Sequence, residues 1–254
     1  MNPPPNPILL IPARMASIRL PGKPLADIAG TPMIVRVWRR AVAAGLGPVV
    51  VAAGEPEIVA AVEEAGGRGV LTDPALPSGS DRIFAALELI DSGGAYDVVV
   101  NLQGDLPALD PVEIRVVVNL LTESGADIAT LAAPIDHEPD RTNPAVVKAV
   151  VAWDAAERFG RALYFTRATA PSGVGTLYHH VGIYAYTRAA LARFVSLPPS
   201  PLEQREKLEQ LRALEAGMHI AVARVDSAPL SVDTEADLKR ANELLKFIPM
   251  TYRS

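Results

Sequence analysis

The chain has 254 residues, 49% hydrophobic and 21% charged, with a formal net charge of −5, a composition that fits a globular enzyme with one main domain and excludes a disordered or fibrous chain. An acidic balance with no long run of Lys or Arg argues against a nucleic-acid or anionic-membrane surface, so an anionic ligand must be held by local cations. There is no cysteine, which removes disulfides, thiolate nucleophiles and cysteine metal sites and is compatible with the cytosol.

The lead MNPPPNP lacks the basic start and apolar middle of a signal peptide, and no stretch of eighteen apolar residues follows, so the expectation is a cytoplasmic protein that does not span a membrane. Ile8 to Ile11, closed by Pro12, reads as a buried first strand. Thr31 as cap, Pro32 in the first turn and Gly45 as stop predict a helix over Met33 to Ala44. Alternation follows: a strand at Val49 to Ala53, a helix at Pro56 to Ala65, a strand at Gly69 to Thr72, a helix at Ser80 to Ile90 and a strand at Val98 to Leu102. Asp110 and Pro111 open a helix ending near Gly125, and Ile128 to Ala133 is another strand. Strands alternating with helices of this length imply crossover units. From about Ala145 to Thr187 the runs Val146 to Trp153, Ala162 to Phe165 and Val181 to Thr187 predict an antiparallel insert. A long helix over Leu202 to Ala216, a strand near Ile220 to Arg224 and a helix from Thr234 to about Leu245 complete the chain. The expected fold is therefore α/β: an open, mainly parallel sheet flanked by helices, with a smaller antiparallel β-rich insert. Its expected division is a nucleotide-binding core at 1–134, the insert at 135–190 and C-terminal elements at 191–254 that complete the core.

The segment from Arg14 to Leu25 places Arg14, Arg19 and Lys23, with two permissive turns, directly after the first strand. Ligands of open α/β sheets sit at the carboxyl ends of strands, so this loop is placed to wrap a polyanion such as a triphosphate. A solvated basic loop is the plainer alternative. Gly22-Lys23 is followed by Pro24 and no strand is followed by GxGxxG, so the loop is neither a Walker A motif nor a dinucleotide fingerprint. Asp105 follows a strand and Asp233 precedes the last helix, positions where turn and cap roles are ordinary.

The run R-x-A-S-x-R-L-P-G-K-P-L resembles the opening signature of the CMP-KDO synthetases. The resemblance continues in order through Pro32-Met33-Ile34, Ser78-Gly79-Ser80-Asp81-Arg82, Asn101-Leu102-Gln103-Gly104-Asp105, Tyr164 to Thr169, His180 to Tyr184, Pro199 to Glu203, Leu208 to Arg212 and Val232-Asp233-Thr234. It implies a Rossmann-like nucleotidyltransferase fold and a magnesium-dependent enzyme that joins CMP from CTP to the 2-keto-3-deoxy sugar acid KDO for lipopolysaccharide synthesis. It further implies Arg14, Lys23 and Asp105 in catalysis; Arg14, Arg19, Lys23, Ser78, Ser80 and Gln103 at the nucleotide; and Arg167, His180, Glu209 and Gln210 at the sugar acid. Asp105 and Asp233 would hold Mg2+, and the insert would form a homodimer contact. No general base is assigned, since a metal-bound hydroxyl can be acidic enough.

Three departures mark this chain: Leu106 where the family has an acid, a short Pro171 to Tyr178 connection without the usual tryptophan, and Asn143-Pro144-Ala145 for Asn-Pro-Asn. They leave a cytidylyltransferase for another acid sugar, or a CTP-binding regulator, as alternatives.

Overall fold

The computed structural model describes residues 5–17 and 19–246; the first four residues of the proline-rich lead lie outside them. β1 (Pro7–Ala13) is buried along its whole length. The basic loop follows and contains one 3-10 turn at Lys23–Leu25. β2 (Asp27–Ile28) and β3 (Thr31–Pro32) form a small antiparallel ribbon in which Ala29 and Gly30 sit at φ 48° and 79°, as a two-residue hairpin turn requires. The ribbon corrects the expected cap: Thr31 is engaged with Ile28, and α1 (Met33–Ala43) starts from Pro32. Arg36, buried on α1, donates to the Ile28 carbonyl at 2.6 Å and fastens the ribbon to the helix.

β4 (Val49–Ala53), α2 (Pro56–Glu64), β5 (Arg68–Leu71), α3 (Gly79–Ile90), β6 (Val98–Leu102), α4 (Pro111–Ser124) and β7 (Ile128–Pro134) follow with the alternation expected. Then come β8 (Lys148–Trp153), β9 (Phe159–Thr166), β10 (Tyr178–Thr187), α5 (Arg188–Ser196), α6 (Pro201–Glu206), α7 (Gln210–Glu215), β11 (Ile220–Arg224) and α8 (Glu235–Leu245). α5 was not foreseen; Thr187 caps it by accepting the Ala190 N–H at 3.1 Å.

The chain gathers into two compact units, one running to Arg115 and resuming at Pro229, the other spanning Val116–Ala228. These boundaries do not coincide with those expected at 134 and 190, because β7 and β11 pair with each other and with β10 and β9. The first unit carries parallel strands in the order β5-β4-β1-β6. In it Val232 and, from α8, Ala241 and Leu245 pack with Leu20, Ile28 and Met33, so α8 packs beside the end of the basic loop and the ribbon that follows it. In the second unit β10 runs antiparallel to β7 and β8, β9 runs antiparallel to β8 and β11, and only β7 and β11 are parallel. The expected mainly parallel sheet is thus corrected to a mixed one. The link between β8 and β9 is too short for a crossover and can only return the chain antiparallel.

The single helix expected over Leu202 to Ala216 is also corrected. Lys207, at φ 58°, ends α6, and α7 begins only at Gln210.

Glu113, in the first turn of α4, has one carboxylate oxygen buried without a partner among the described residues, and burial pushes its pKa up to about 7. The unfolded chain ionises this group near 4.5. Stability is therefore lost as pH rises from that value toward 7, and no loss occurs below it, where both states are protonated. Glu113→Gln is expected to gain about 1–2 kcal/mol near pH 8, the full shift being discounted for partial exposure, and nothing near pH 4. Urea unfolding at the two pH values checks this; an equal gain at both would refute it.

Candidate active site

The basic loop owes its shape to backbone turns. Gly22 adopts φ 68°, a left-handed conformation that costs glycine little, and it starts the turn that carries Lys23. The Met15 N–H donates to Glu55 Oε2 at 2.8 Å and the Leu20 N–H to Ser17 Oγ at 3.3 Å, which pin the loop's rim. The loop borders a cavity of about 420 Å³ that Arg14, Arg19, Lys23, Ser78, Gln103 and Asp105 all line. The loop's three cations and residues near 78 and 103–105 are thereby brought to one place within the first unit.

Lys23 is the centre of this group. Its ammonium donates to Asp105 Oδ2 at 2.8 Å and to Asp233 Oδ1 at 2.9 Å, and Arg19 approaches the same Asp233 oxygen at 3.1 Å. Burial opposes the ammonium, but the charge of Asp105 and the bonds to both carboxylates outweigh it and hold the Lys23 pKa above its ordinary value. Burial works against the Asp233 carboxylate as well, yet Lys23 and then Arg19 keep its pKa low. Asp105 also accepts the Val232 N–H through its carbonyl at 3.0 Å, a backbone tie that brings Asp233 alongside.

The opposite wall is the start of α3. Ser78 caps the helix by accepting the Asp81 N–H at 3.2 Å and donates to Asp81 Oδ2 at 2.7 Å. A Cβ on Gly79 would stand 3.2 Å from Pro12 Cγ and 3.7 Å from Gln103 Nε2, so glycine keeps this wall open. Ser80, expected at the nucleotide, does not line the cavity: it is fully buried, and Asn101 Nδ2 donates to its hydroxyl at 3.4 Å. Leu106 is 4% exposed, so the departure beside Asp105 is a packed apolar side chain.

In the second unit, Arg167 is the first residue after β9, and its guanidinium donates to the carbonyls of Glu206, Pro144 and Lys207. Glu209 is the cap of α7 and Gln210 its first residue. Gln210 is buried with its Nε2 lacking a partner among the described residues. An orphaned buried amide is rare and points to a missing acceptor. His180 lies in an aromatic stack with Phe165 and Tyr184. Its Nε2 is 3.0 Å from Thr130 Oγ1, a hydroxyl that also lies within bonding distance of the Val181 and Ile183 carbonyls at 3.3 and 2.7 Å. Burial, and secondarily His179, push the His180 pKa down to about 3, so this residue is neutral at physiological pH and offers no charge to a sugar acid.

The profile of the cytidylyltransferase family matches residues 8–220. The chain belongs to that family. The 3-deoxy-manno-octulosonate cytidylyltransferase of Parvibaculum lavamentivorans is 65% identical over 240 residues, covering 94% of this chain and 93% of that one. The enzyme of the same name from Paramagnetospirillum magneticum is 61% identical, covering 95% and 98% respectively. A solved CMP:2-keto-3-deoxy-manno-octonic acid synthetase complexed with CTP aligns with a TM-score of 0.86 and 36% identity, over 94% of this chain and 98% of its own.

One residue of this cytidylyltransferase received no role from its sequence. Arg82, on the buried side of α3, is 2% exposed and lines the cavity. It donates to Thr72 Oγ1 at 2.6 Å, the Asp73 carbonyl at 3.1 Å and the Pro74 carbonyl at 3.3 Å. The signal in the sequence is a cation on a buried helix face that otherwise carries only Ser80, Ile83, Ala86 and Leu87 among the described residues. Hydrogen bonds to a charged group contribute about 1.5–3 kcal/mol each. Arg82→Met is accordingly expected to lower the melting temperature by about 10 °C or more, on the order of 2–4 °C per kcal/mol at this size, and to raise KM for the nucleotide about tenfold or more. Unchanged nucleotide KM would reduce Arg82 to packing alone.

Proposed function

We propose that the chain transfers the cytidylyl group of CTP to the anomeric C2 hydroxyl of 3-deoxy-D-manno-octulosonate, releasing pyrophosphate and giving CMP-KDO, the activated sugar acid for lipopolysaccharide. The observation that carries this reading is the gathering of Arg14, Arg19, Lys23 and Asp105 around one cavity, with Asp233 drawn in by Lys23. In the reaction the C2 oxygen forms a bond to the α-phosphorus while the bond to the bridging oxygen of pyrophosphate breaks, and the hydroxyl proton leaves to solvent. No covalent enzyme intermediate is needed. Phosphoryl-type transfer asks a protein chiefly to position its reactants and stabilise charge, which suits cations and carboxylates without an activated nucleophile. Arg14, Arg19 and Lys23 take the triphosphate, and Ser78 and Gln103, which line the same cavity, bind the nucleoside.

Asp105 and Asp233 fit a divalent ion: both carboxylates already converge on one cation, Lys23 Nζ, at 2.8 and 2.9 Å. Among the described residues no group of three or more His, Cys, Asp or Glu is arranged to hold a metal ion; a pair of carboxylates suits Mg2+, which fills its shell with water and phosphate oxygens. Bound there, Mg2+ would neutralise phosphate charge and acidify a coordinated hydroxyl. Arg167 takes the carboxylate of the sugar acid and Gln210, with Glu209, its hydroxyls; the unpartnered Gln210 Nε2 supports that role. His180 supports this group by packing as a neutral ring. A homodimer formed through the β-rich strands and a cytoplasmic setting belong to the same reading; among the described residues no helix is long and apolar enough to cross a membrane.

Pyrophosphate release from CTP, KDO and Mg2+, with UTP and ATP as controls, tests the proposal. Rapid release confined to CTP and dependent on KDO is expected. Tight CTP binding without release would overturn it.

A further inference from the structure

Thr166 is the last residue of β9 and Arg167 follows it. The Glu206 carboxylate, at the end of α6, collects donors from this short run. Oε1 accepts from the Thr166 hydroxyl at 2.7 Å and the Tyr164 hydroxyl at 3.5 Å, and Oε2 accepts from the Arg167 backbone N–H at 2.9 Å. The arginine side chain reaches to the same turn: its Nε–H donates to the Glu206 carbonyl at 2.9 Å, and Nη2 and Nη1 donate to the carbonyls of Lys207 at 3.4 Å and Pro144 at 3.0 Å. α6 can offer two consecutive carbonyls because it stops there. Lys207, at φ 58° and ψ 46°, holds a left-handed conformation that side chains rarely adopt, and it releases these carbonyls from the helical ladder.

Three of the five guanidinium N–H groups are thus engaged by backbone carbonyls among the described residues, which fixes the plane of the group and leaves two for a ligand. Burial alone would raise the Glu206 pKa, but the Arg167 N–H, the two hydroxyls and the Arg167 charge together hold it below the usual carboxylate range. Glu206 thereby stays ionised at neutral pH and keeps its acceptors.

We infer that Glu206 is a positioning residue for the sugar acid: it grips the main chain of Arg167, presents the end of α6 to the guanidinium, and so holds in a set orientation the two donors that meet a carboxylate. The inference rests on the reading above that Arg167 binds the carboxylate of the acceptor. A long cationic side chain otherwise loses rotamer freedom on binding, and one already held loses less, so the benefit falls on acceptor affinity and not on the nucleotide. A plain structural tie between β9 and α6 would instead weaken the whole protein and both substrates alike.

Steady-state kinetics of the full chain, varying KDO and CTP separately, distinguish the two roles. Glu206→Ala is expected to raise KM for KDO about tenfold while KM for CTP stays within about twofold. Glu206→Gln keeps the shape and one acceptor, should show a smaller but equally selective rise, and carries the test if the alanine variant does not fold. On an Arg167→Met background Glu206→Ala should add little, because the two act as one unit. If Arg167→Met raises KM for KDO but both Glu206 variants leave it unchanged, the inference falls and the reading of Arg167 stands. No effect of Arg167→Met would remove both. Equal shifts in the two KM values, or full additivity of the two substitutions, would reduce Glu206 to a structural tie.

Discussion

Lys23→Met is expected to lower kcat/KM by about a thousandfold or more, the scale seen when a preorganised donor to a transferring phosphoryl group is removed. The size follows from where the ammonium stands. Its side chain is only 15% exposed and bonds two carboxylates at once, so a charge-assisted bond to phosphate forms in a poorly solvated place where it counts for more than in water. The substitution also leaves Asp105 and Asp233 facing each other, with Arg19 still near Asp233. Asp233 has a depressed pKa in the folded chain; its contribution to stability is present above the unfolded carboxylate value and is lost as pH falls through the folded one. Without Lys23 that acid-side loss shrinks. Thermal melts across the acid range, together with turnover at saturating Mg2+, check both consequences, and near-normal turnover would overturn the phosphate assignment.

Asp105→Asn should be as damaging to turnover, again about a thousandfold, for a different reason. The amide preserves the shape, can accept one bond from Lys23, and leaves the backbone tie to Val232 untouched, so the fold should change by no more than about 1 kcal/mol. What disappears is an anionic oxygen, the kind of ligand a hard divalent ion requires. The wild-type protein should gain thermal stability when Mg2+ is added with CTP, and the variant should gain less. A variant with an undiminished metal-linked shift and normal kcat would place the metal on other residues.

Much of the first unit is legible because its information is local. β1, β4 and β6 are short, mostly apolar runs, and the helices near them start at a proline or at a capping serine: Pro32 before α1, Pro56 at the start of α2 and Ser78 before α3. The basic loop is legible for the same reason, with three cations and two turns in ten residues. Its partners are less so: the bond from Lys23 to Asp233 joins residues 210 apart, and spacing alone assigns Asp233 only a helix cap. The resemblance to a family implied a partnership of Asp233 with Asp105; its bond to Lys23 is visible only in the structure.

Strand and helix alternation by itself determined an α/β fold with a basic loop after its first strand, and the ordered motifs, through their resemblance to a known family, a cytidylyltransferase. Tertiary structure alone decided the rest. Residues 202–216 are good helix formers throughout, so no local preference breaks the helix at Lys207; the bonds from Arg167 to the Glu206 and Lys207 carbonyls accompany the break. The parallel or antiparallel sense of β7 to β11 depends on which strand each meets, and the neutrality of His180 depends on the rings that enclose it. Periodicity reports which face of an element is buried, but the partner it meets there is set by packing distant parts of the chain together.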